Sequence, residues 1–148
     1  MKFKLFITLA LLNAFIAFAQ KEKDQEQIKK LLERESSTWR LQDAKGHAEC
    51  WYIQPYSRIL VSTADGQTYD VPPSAMTATD PQKMGNGGSA VNSNYKMNIQ
   101  KQTAWVSHDE ISIGIDGKKT YSYEIRLLEK IKKKWKLVGQ SIHIYKTE

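Results

Sequence analysis

Apolar residues early in the chain recur at helical spacing. In "KEKDQEQIKKLLERESSTWRLQDAKGHAECW", Ile28, Leu31 and Leu32 share one face, Trp39 and Leu41 follow, and Glu and Lys fill most other positions. This predicts an amphipathic helix from about Asp24, a suitable N-cap, to about Asp43. Lys45-Gly46 reads as its break, with a short second helix over His47 to Trp51. From Tyr56 the period changes: "YSRILVSTADGQTYDVP" gathers Ile, Val, Thr and Tyr around the turn pair Asp65-Gly66, which predicts a β-hairpin. Pro72-Pro73-Ser74 ends the hairpin and starts a brief helix over "SAMTATDPQKM", and "GNGGSAVNSN" reads as a flexible loop. The remainder predicts three long strands: "YKMNIQKQTAWVSHDEISIGI", "KKTYSYEIRLLEK" and "WKLVGQSIHIYK". Their connections are too short for a parallel crossover, so the order is an antiparallel meander.

Alternation along the last strand puts Trp135, Leu137, Gly139, Ser141, His143 and Tyr145 on one face, and Lys136, Val138, Gln140, Ile142 and Ile144 on the other. Neither face is wholly polar. Such a sheet is covered by helices on one side and curls, or meets another subunit, on the other.

The first 19 residues read as a secretory signal peptide: Lys2 and Lys4, an apolar run from Leu5, and Ala17-Phe18-Ala19 before Gln20. A spanning helix needs roughly 20 apolar residues, and this run is shorter and interrupted by Asn13. The expectation is an exported protein, periplasmic or extracellular, with no membrane attachment after cleavage and one domain over 20–148. Without the leader's two lysines, 20 basic residues face 16 acidic ones, a mild net charge of +4. Cys50 is the only cysteine, which excludes an intramolecular disulfide.

The strongest local charge is Lys130, Lys132, Lys133 and Lys134 around Trp135. Two strands flank these lysines, so they are read as a water-exposed hairpin bend that discourages edge pairing, not as a nucleic-acid arm.

The order of helix, short helix, hairpin, small helix and meander resembles the nuclear transport factor 2-like superfamily, and within it the SnoaL-like and DUF4440-like secreted bacterial members. The resemblance rests on "STWRLQDAKGHAECW", "ILVSTADGQTYDV", "TAWVSHDEISI" and "YSYEIRLLEKIKKKWKLVGQSIHIY", and covers essentially the whole mature chain. One departure is Lys134, where the family usually has Gly before the final-strand Trp. The resemblance implies an α+β, cone-shaped, cystatin-like fold in which a strongly bent antiparallel sheet wraps a long N-terminal helix and leaves a pocket at the open end. It also implies dimerisation through the outer sheet face. Family members include ketosteroid isomerases, dehydratases, polyketide cyclases and proteins without catalysis, so fold leaves function open.

Acid–base chemistry in such a pocket needs a carboxylate with a raised pKa beside a hydrogen-bond donor. Glu124 and Arg126 stand two apart on a strand and share a face, either as a pocket dyad or, as expected for ordinary strands, a surface ion pair. His143 is the second candidate base, with a hydrogen-bonded core or rim role as the plainer reading. His108-Asp109-Glu110 cannot converge, since neighbouring strand residues point to opposite faces. His47 and Cys50 offer two metal ligands, too few for a site. No nucleophile elbow or phosphate loop is present, and neither a cofactor nor a metal is expected. Tyr56, Trp105, Tyr123, Gln140 and His143 are the expected pocket residues, combining apolar bodies with polar tips. The leading expectation is a non-catalytic domain binding a small apolar or amphipathic ligand. The alternatives are a cofactor-free isomerase-, dehydratase- or cyclase-like enzyme and an interaction module working through its outer sheet face.

Overall fold

The computed structural model describes the backbone of residues 2–148 and side chains from Ala19 onward. Apart from Ala19, the side chains of the expected leader lie outside the described residues. The elements are α1 (Lys2–Arg40), α2 (Ala44–Ala48), β1 (Ile59–Ser62), β2 (Thr68–Val71), two single 3-10 turns (Pro73–Met76 and Pro81–Lys83), β3 (Ser89–Gln100), β4 (Thr103–Ile113), β5 (Lys119–Ile131) and β6 (Lys134–Thr147). The six strands form one bent sheet in the order β2-β1-β6-β5-β4-β3. Neighbours are antiparallel except β1 and β6, which run parallel, so the sheet is mixed and not wholly antiparallel. The α+β class and the hairpin around Asp65-Gly66 match the sequence reading.

Several element ends differ from it. α1 stops at Arg40 in a Schellman motif: Gln42 is left-handed at φ 59°, its N–H reaches the Trp39 carbonyl at 3.2 Å, and the Asp43 N–H reaches that of Thr38 at 3.0 Å. Asp43 then caps α2 by accepting from the Gly46 N–H at 2.8 Å. Gly46 does not break a helix. It lies inside α2, where a Cβ would come within 2.1 Å of Asp43 Oδ2. Asp24 is no N-cap, because α1 runs through it. Its carboxylate accepts from Lys130 Nζ at 2.5 Å and Trp135 Nε1 at 3.1 Å. Burial works against that charge, but these donors hold its pKa below the ordinary value.

The meander has four strands, not three. The expected first strand folds at Lys101, left-handed at φ 52°, into β3 and β4. Most of "GNGGSAVNSN" belongs to β3, which starts at Ser89. Lys132 and Lys133, at φ 48° and 68°, form the two-residue turn between β5 and β6, and both are exposed with Lys134. Lys130 turns inward to Asp24 and lies 4.8 Å over the Trp135 ring.

Inside the sheet, each inward stripe begins apolar and becomes polar. α1 presents Ile28 and Leu32, then Glu35 and Ser36. β4 presents Ala104 and Val106, then His108 and Glu110. β5 reads Leu128, then Arg126, Glu124 and Ser122. The apolar ends meet as a core with Ile59, Trp135 and Leu137. On β6 a bulge changes the parity: Leu128 pairs with Leu137 but Leu127 with Gly139, so Val138 is the extra residue and Leu137 and Gln140 both face inward. The face assignment from simple alternation therefore fails beyond Val138.

Gln42 and Lys133 hold left-handed conformations that cost non-glycine residues free energy. Gln42→Gly and Lys133→Gly should each raise stability by about 0.5–1 kcal/mol after the flexibility of glycine is discounted. Urea denaturation checks this, and a loss at both sites would contradict these turn geometries.

Candidate functional site

Where the stripes turn polar, the sheet and α1 leave a cavity of about 380 Å³. One wall is apolar, from Val61 on β1, Val71 on β2, Met76, and Ile142 and Ile144 on β6, with Trp39 closing over it from α1. The rest of the lining is polar: Glu35, Ser36 and Arg40 from α1, His47 from α2, Glu110 and Ser112 from β4, Ser122, Glu124 and Arg126 from β5, and Gln140 from β6. Spacing on each element brings them together, because i, i+4 repeats on a helix and i, i+2 repeats on a strand face one way.

Arg126 is the hub. Its Nη1 donates to Glu35 Oε2 at 3.4 Å and to Gln140 Oε1, and its Nη2 donates to Glu124 Oε2. All four residues are buried. Burial alone would lower the guanidinium's pKa, but Glu124, Glu35 and Glu110 outweigh it and hold the charge firmly. A histidine flanks each carboxylate. His47 Nδ1 donates to the Glu35 carbonyl at 3.3 Å, with Nε2 3.7 Å from Glu35 Oε1. His108 Nε2 lies 3.5 Å from Glu124 Oε2 and its ring stacks on Tyr95 with centroids 5.0 Å apart. Burial pushes His108 below its ordinary value, against the pull of Glu124, so it is neutral at physiological pH. Ser122 Oγ completes the group by donating to Glu124 Oε1 at 3.0 Å.

Glu110 stands apart from this chain. It accepts from Ser36 Oγ at 2.9 Å, and Ser36 in turn accepts from Arg40 Nη1 at 2.5 Å. Burial and the nearby Glu124 charge raise its pKa above its ordinary value, and Ser36, Arg126 and Arg40 only partly offset this.

Of the residues expected in the pocket, Gln140 and Glu124 both line the cavity, and Glu124 is buried instead of in a surface ion pair. Tyr56, Trp105, Tyr123 and His143 lie outside the cavity. Tyr56, Trp105 and Tyr123 are 64%, 42% and 52% exposed. Tyr56 donates to Glu129. His143 is exposed, bonds Ser62 Oγ at 2.7 Å and stacks near Tyr123, so it is neither a core nor a cavity histidine. The reason is the inverted polarity of β5, whose inward residues are polar and whose outward Tyr123, Ile125 and Leu127 are apolar. His108 and Glu110 face inward while Asp109 faces out to Asn94 at 2.6 Å, as alternation requires. Sequence reasoning missed Glu35, Ser36, Arg40 and Glu110 as a set; the signal was Glu110-x-Ser112 opposite Ser122-x-Glu124-x-Arg126. Cys50 is buried, its thiol pushed up to about 11 by burial, and it donates to the Gly46 carbonyl.

No family model and no curated protein matches the chain in sequence. Solved structures do match it in fold. A provisionally assigned scytalone dehydratase from Novosphingobium aromaticivorans superposes with a TM-score of 0.65 at 14% identity, covering 88% of this chain and 90% of that one. A nuclear transport factor 2-like protein with a cystatin-like fold from the same organism gives 0.65 at 16%, covering 88% and 87%. A nuclear transport factor 2-like protein from Cytophaga hutchinsonii gives 0.59 at 18%, covering 84% and 98%. At these identities the likeness speaks for fold alone.

Removing the Arg126 charge leaves Glu35 and Glu124 buried without a counter-ion. Arg126→Leu should destabilise by about 3–5 kcal/mol, the scale for breaking a buried ion pair from one side. Arg126→Lys should also lose stability, because one ammonium cannot engage Glu35, Glu124 and Gln140 in the same planar geometry. Chemical denaturation measures both, and a loss below about 1 kcal/mol for the Leu variant would place the network at the surface-pair level.

Proposed function

Because the chain has the nuclear transport factor 2-like, cystatin-like fold and keeps a half-apolar cavity beside α1, we propose that it binds a small amphipathic molecule there. The observation carrying this reading is the division of the cavity into an apolar wall and a polar wall. An apolar body fits against Val61, Val71, Met76, Ile142 and Ile144, and a polar head meets Glu110, Ser112, Ser122 and Gln140. A cavity of this size falls within the range of small-molecule sites, roughly 300–1,000 Å³. Arg126 fixes the polar side in advance, so the ligand meets groups already ordered and loses less entropy on binding.

The raised Glu110 supports a second reading, acid–base catalysis on the bound molecule. A half-buried carboxyl with a raised pKa, bonded to a hydroxyl that a guanidinium holds in turn, is suited to moving a proton at a polarised carbon–oxygen group. In this reading Glu110 takes the role expected of Glu124 or His143. Glu124 is committed to Arg126 and Ser122, and His143 faces away. Glu124 then acts as a positioning residue whose charge keeps the Glu110 proton in place.

Two measurements test these readings. Ile142→Trp fills the apolar side. The wild type should bind phenylpropanol in calorimetry and this variant should not, with an unchanged circular dichroism spectrum; equal binding by both would move the ligand out of the cone. For Glu110, the folded pKa lies above the ordinary 4.5. The native state therefore keeps a proton that the unfolded chain has released, and this contribution to stability declines as pH rises from the ordinary value to the raised one. Glu110→Gln should be more stable than the wild type near neutrality, and the gain should vanish in acid. A variant less stable at neutral pH would remove the basis for the acid–base reading.

A further inference from the structure

Taking the cone to be a ligand pocket, we infer that the head of its ligand is a protonated amine, held by Glu110. Three carboxylates and two guanidinium groups face the cavity: Glu35, Glu110 and Glu124 against Arg40 and Arg126. Their distribution matters more than their sum. Glu35 and Glu124 both engage Arg126, whereas Glu110 has only the Ser36 hydroxyl, and Arg40 reaches it only through that hydroxyl. Glu110, half-buried, thus has no cation at ion-pair distance among the described residues, and a largely desolvated carboxylate in that position calls for one.

Other side chains lining the cavity add acceptors. His47 commits Nδ1–H to the Glu35 carbonyl, which leaves Nε2 as a lone-pair acceptor. That atom has no hydrogen-bond partner among the described residues, in a side chain 1% exposed that lines the cavity. Ser122 spends its proton on Glu124 and keeps its lone pairs, and Ser112 and Thr120 continue the hydroxyl lining. An ammonium supplies three donors for such a surface. A carboxylate head would instead enter among three acidic side chains, and an alcohol would bring no positive charge to pair with Glu110.

The competitor for that cation is a proton on Glu110 itself. The groups that act on Glu110 are Arg40 from α1, Tyr95 from β3, and Glu124 and Arg126 from β5, with Ser36 as hydrogen-bond donor, and Glu35 and His47 line the same cavity. Burial and Glu124 favour the protonated acid. When an alkylammonium enters, the Glu110 carboxyl gives its proton to solvent and its carboxylate pairs with the ligand. Binding therefore releases a proton, and affinity rises with pH up to the raised Glu110 value, then levels until the amine itself deprotonates.

The test compares three probes with one apolar body: phenylpropylamine, phenylpropanol and phenylpropanoate, by calorimetry on the full chain. The expected result is that the amine binds about tenfold more tightly than the alcohol, a difference of about 1.4 kcal/mol, with the acid weakest. Below the raised Glu110 value, the amine's heat should vary between buffers of different ionisation enthalpy as proton release demands. Glu110→Gln should erase the amine's advantage and the proton release while still binding the alcohol, and Ile142→Trp should bind none of the three. Equal affinities for amine and alcohol, or a preference for the acid, would overturn the amine assignment and leave the pocket reading standing. Failure of all three probes to bind would overturn the pocket reading, and this inference with it.

Discussion

A guanidinium without water around it must be shared among groups that replace the water, and much of this molecule follows from how Arg126 is shared. Its partners come from three elements: Glu35 from α1, Glu124 from β5 itself and Gln140 from β6. In this arrangement Glu35 reaches the fork from the helix, and the register of β6 beside β5 offers Gln140 to it. The bulge at Val138 supplies that register while keeping Leu137 in the core. Electrostatics and packing are thus satisfied by one backbone irregularity. The histidines extend the same constraint outward, each with a ring nitrogen within 4 Å of one of the two carboxylates.

A polar interior of this kind needs stability from elsewhere, and the narrow end of the cone supplies it. Ile28, Leu32, Val106, Leu128 and Leu137 are almost fully buried and pack as a conventional apolar core. Near the turn between β5 and β6, Lys130 and Trp135 both bind Asp24, tying the far end of the sheet to the helix. The molecule is therefore divided along its axis: a packed half that holds the fold and an unfilled half whose side chains are pre-ordered by Arg126. Among the described residues Glu110 is the carboxylate of that second half with no direct cation, which is why both the acid–base reading and the ligand's charge turn on it.

The sequence disclosed more of the framework than of the site. Alternating Ile, Val, Thr and Tyr around Asp65-Gly66 and the apolar spacing of Ile28, Leu31 and Leu32 were legible because each is a local pattern with one physical meaning. The turns at Gln42 and Lys101 were not, since glutamine and lysine carry no preference for the left-handed conformation they adopt there. The site was obscured for a different reason. On β5 the alternation of Tyr123, Ile125 and Leu127 with Ser122, Glu124 and Arg126 is unambiguous, yet the ordinary expectation sends the aromatic and aliphatic set inward. Here that set faces out, which displaced Trp105 and Tyr123 from the expected pocket and brought Glu110 and Arg126 into the real one.

By itself the sequence determined the kinds of element, most of their order and the α+β class, because propensity, period and turn chemistry act over a few residues. It also determined that Glu124 and Arg126 share a face, and that His108 and Glu110 face away from Asp109, since a strand's side chains alternate whatever surrounds it. Which face is inside was decided only by the tertiary structure. Alternation is unchanged when a strand is turned over; only closure of the sheet around α1, with Glu35 and Gln140 arriving at the same guanidinium, makes the polar side of β5 the inner one.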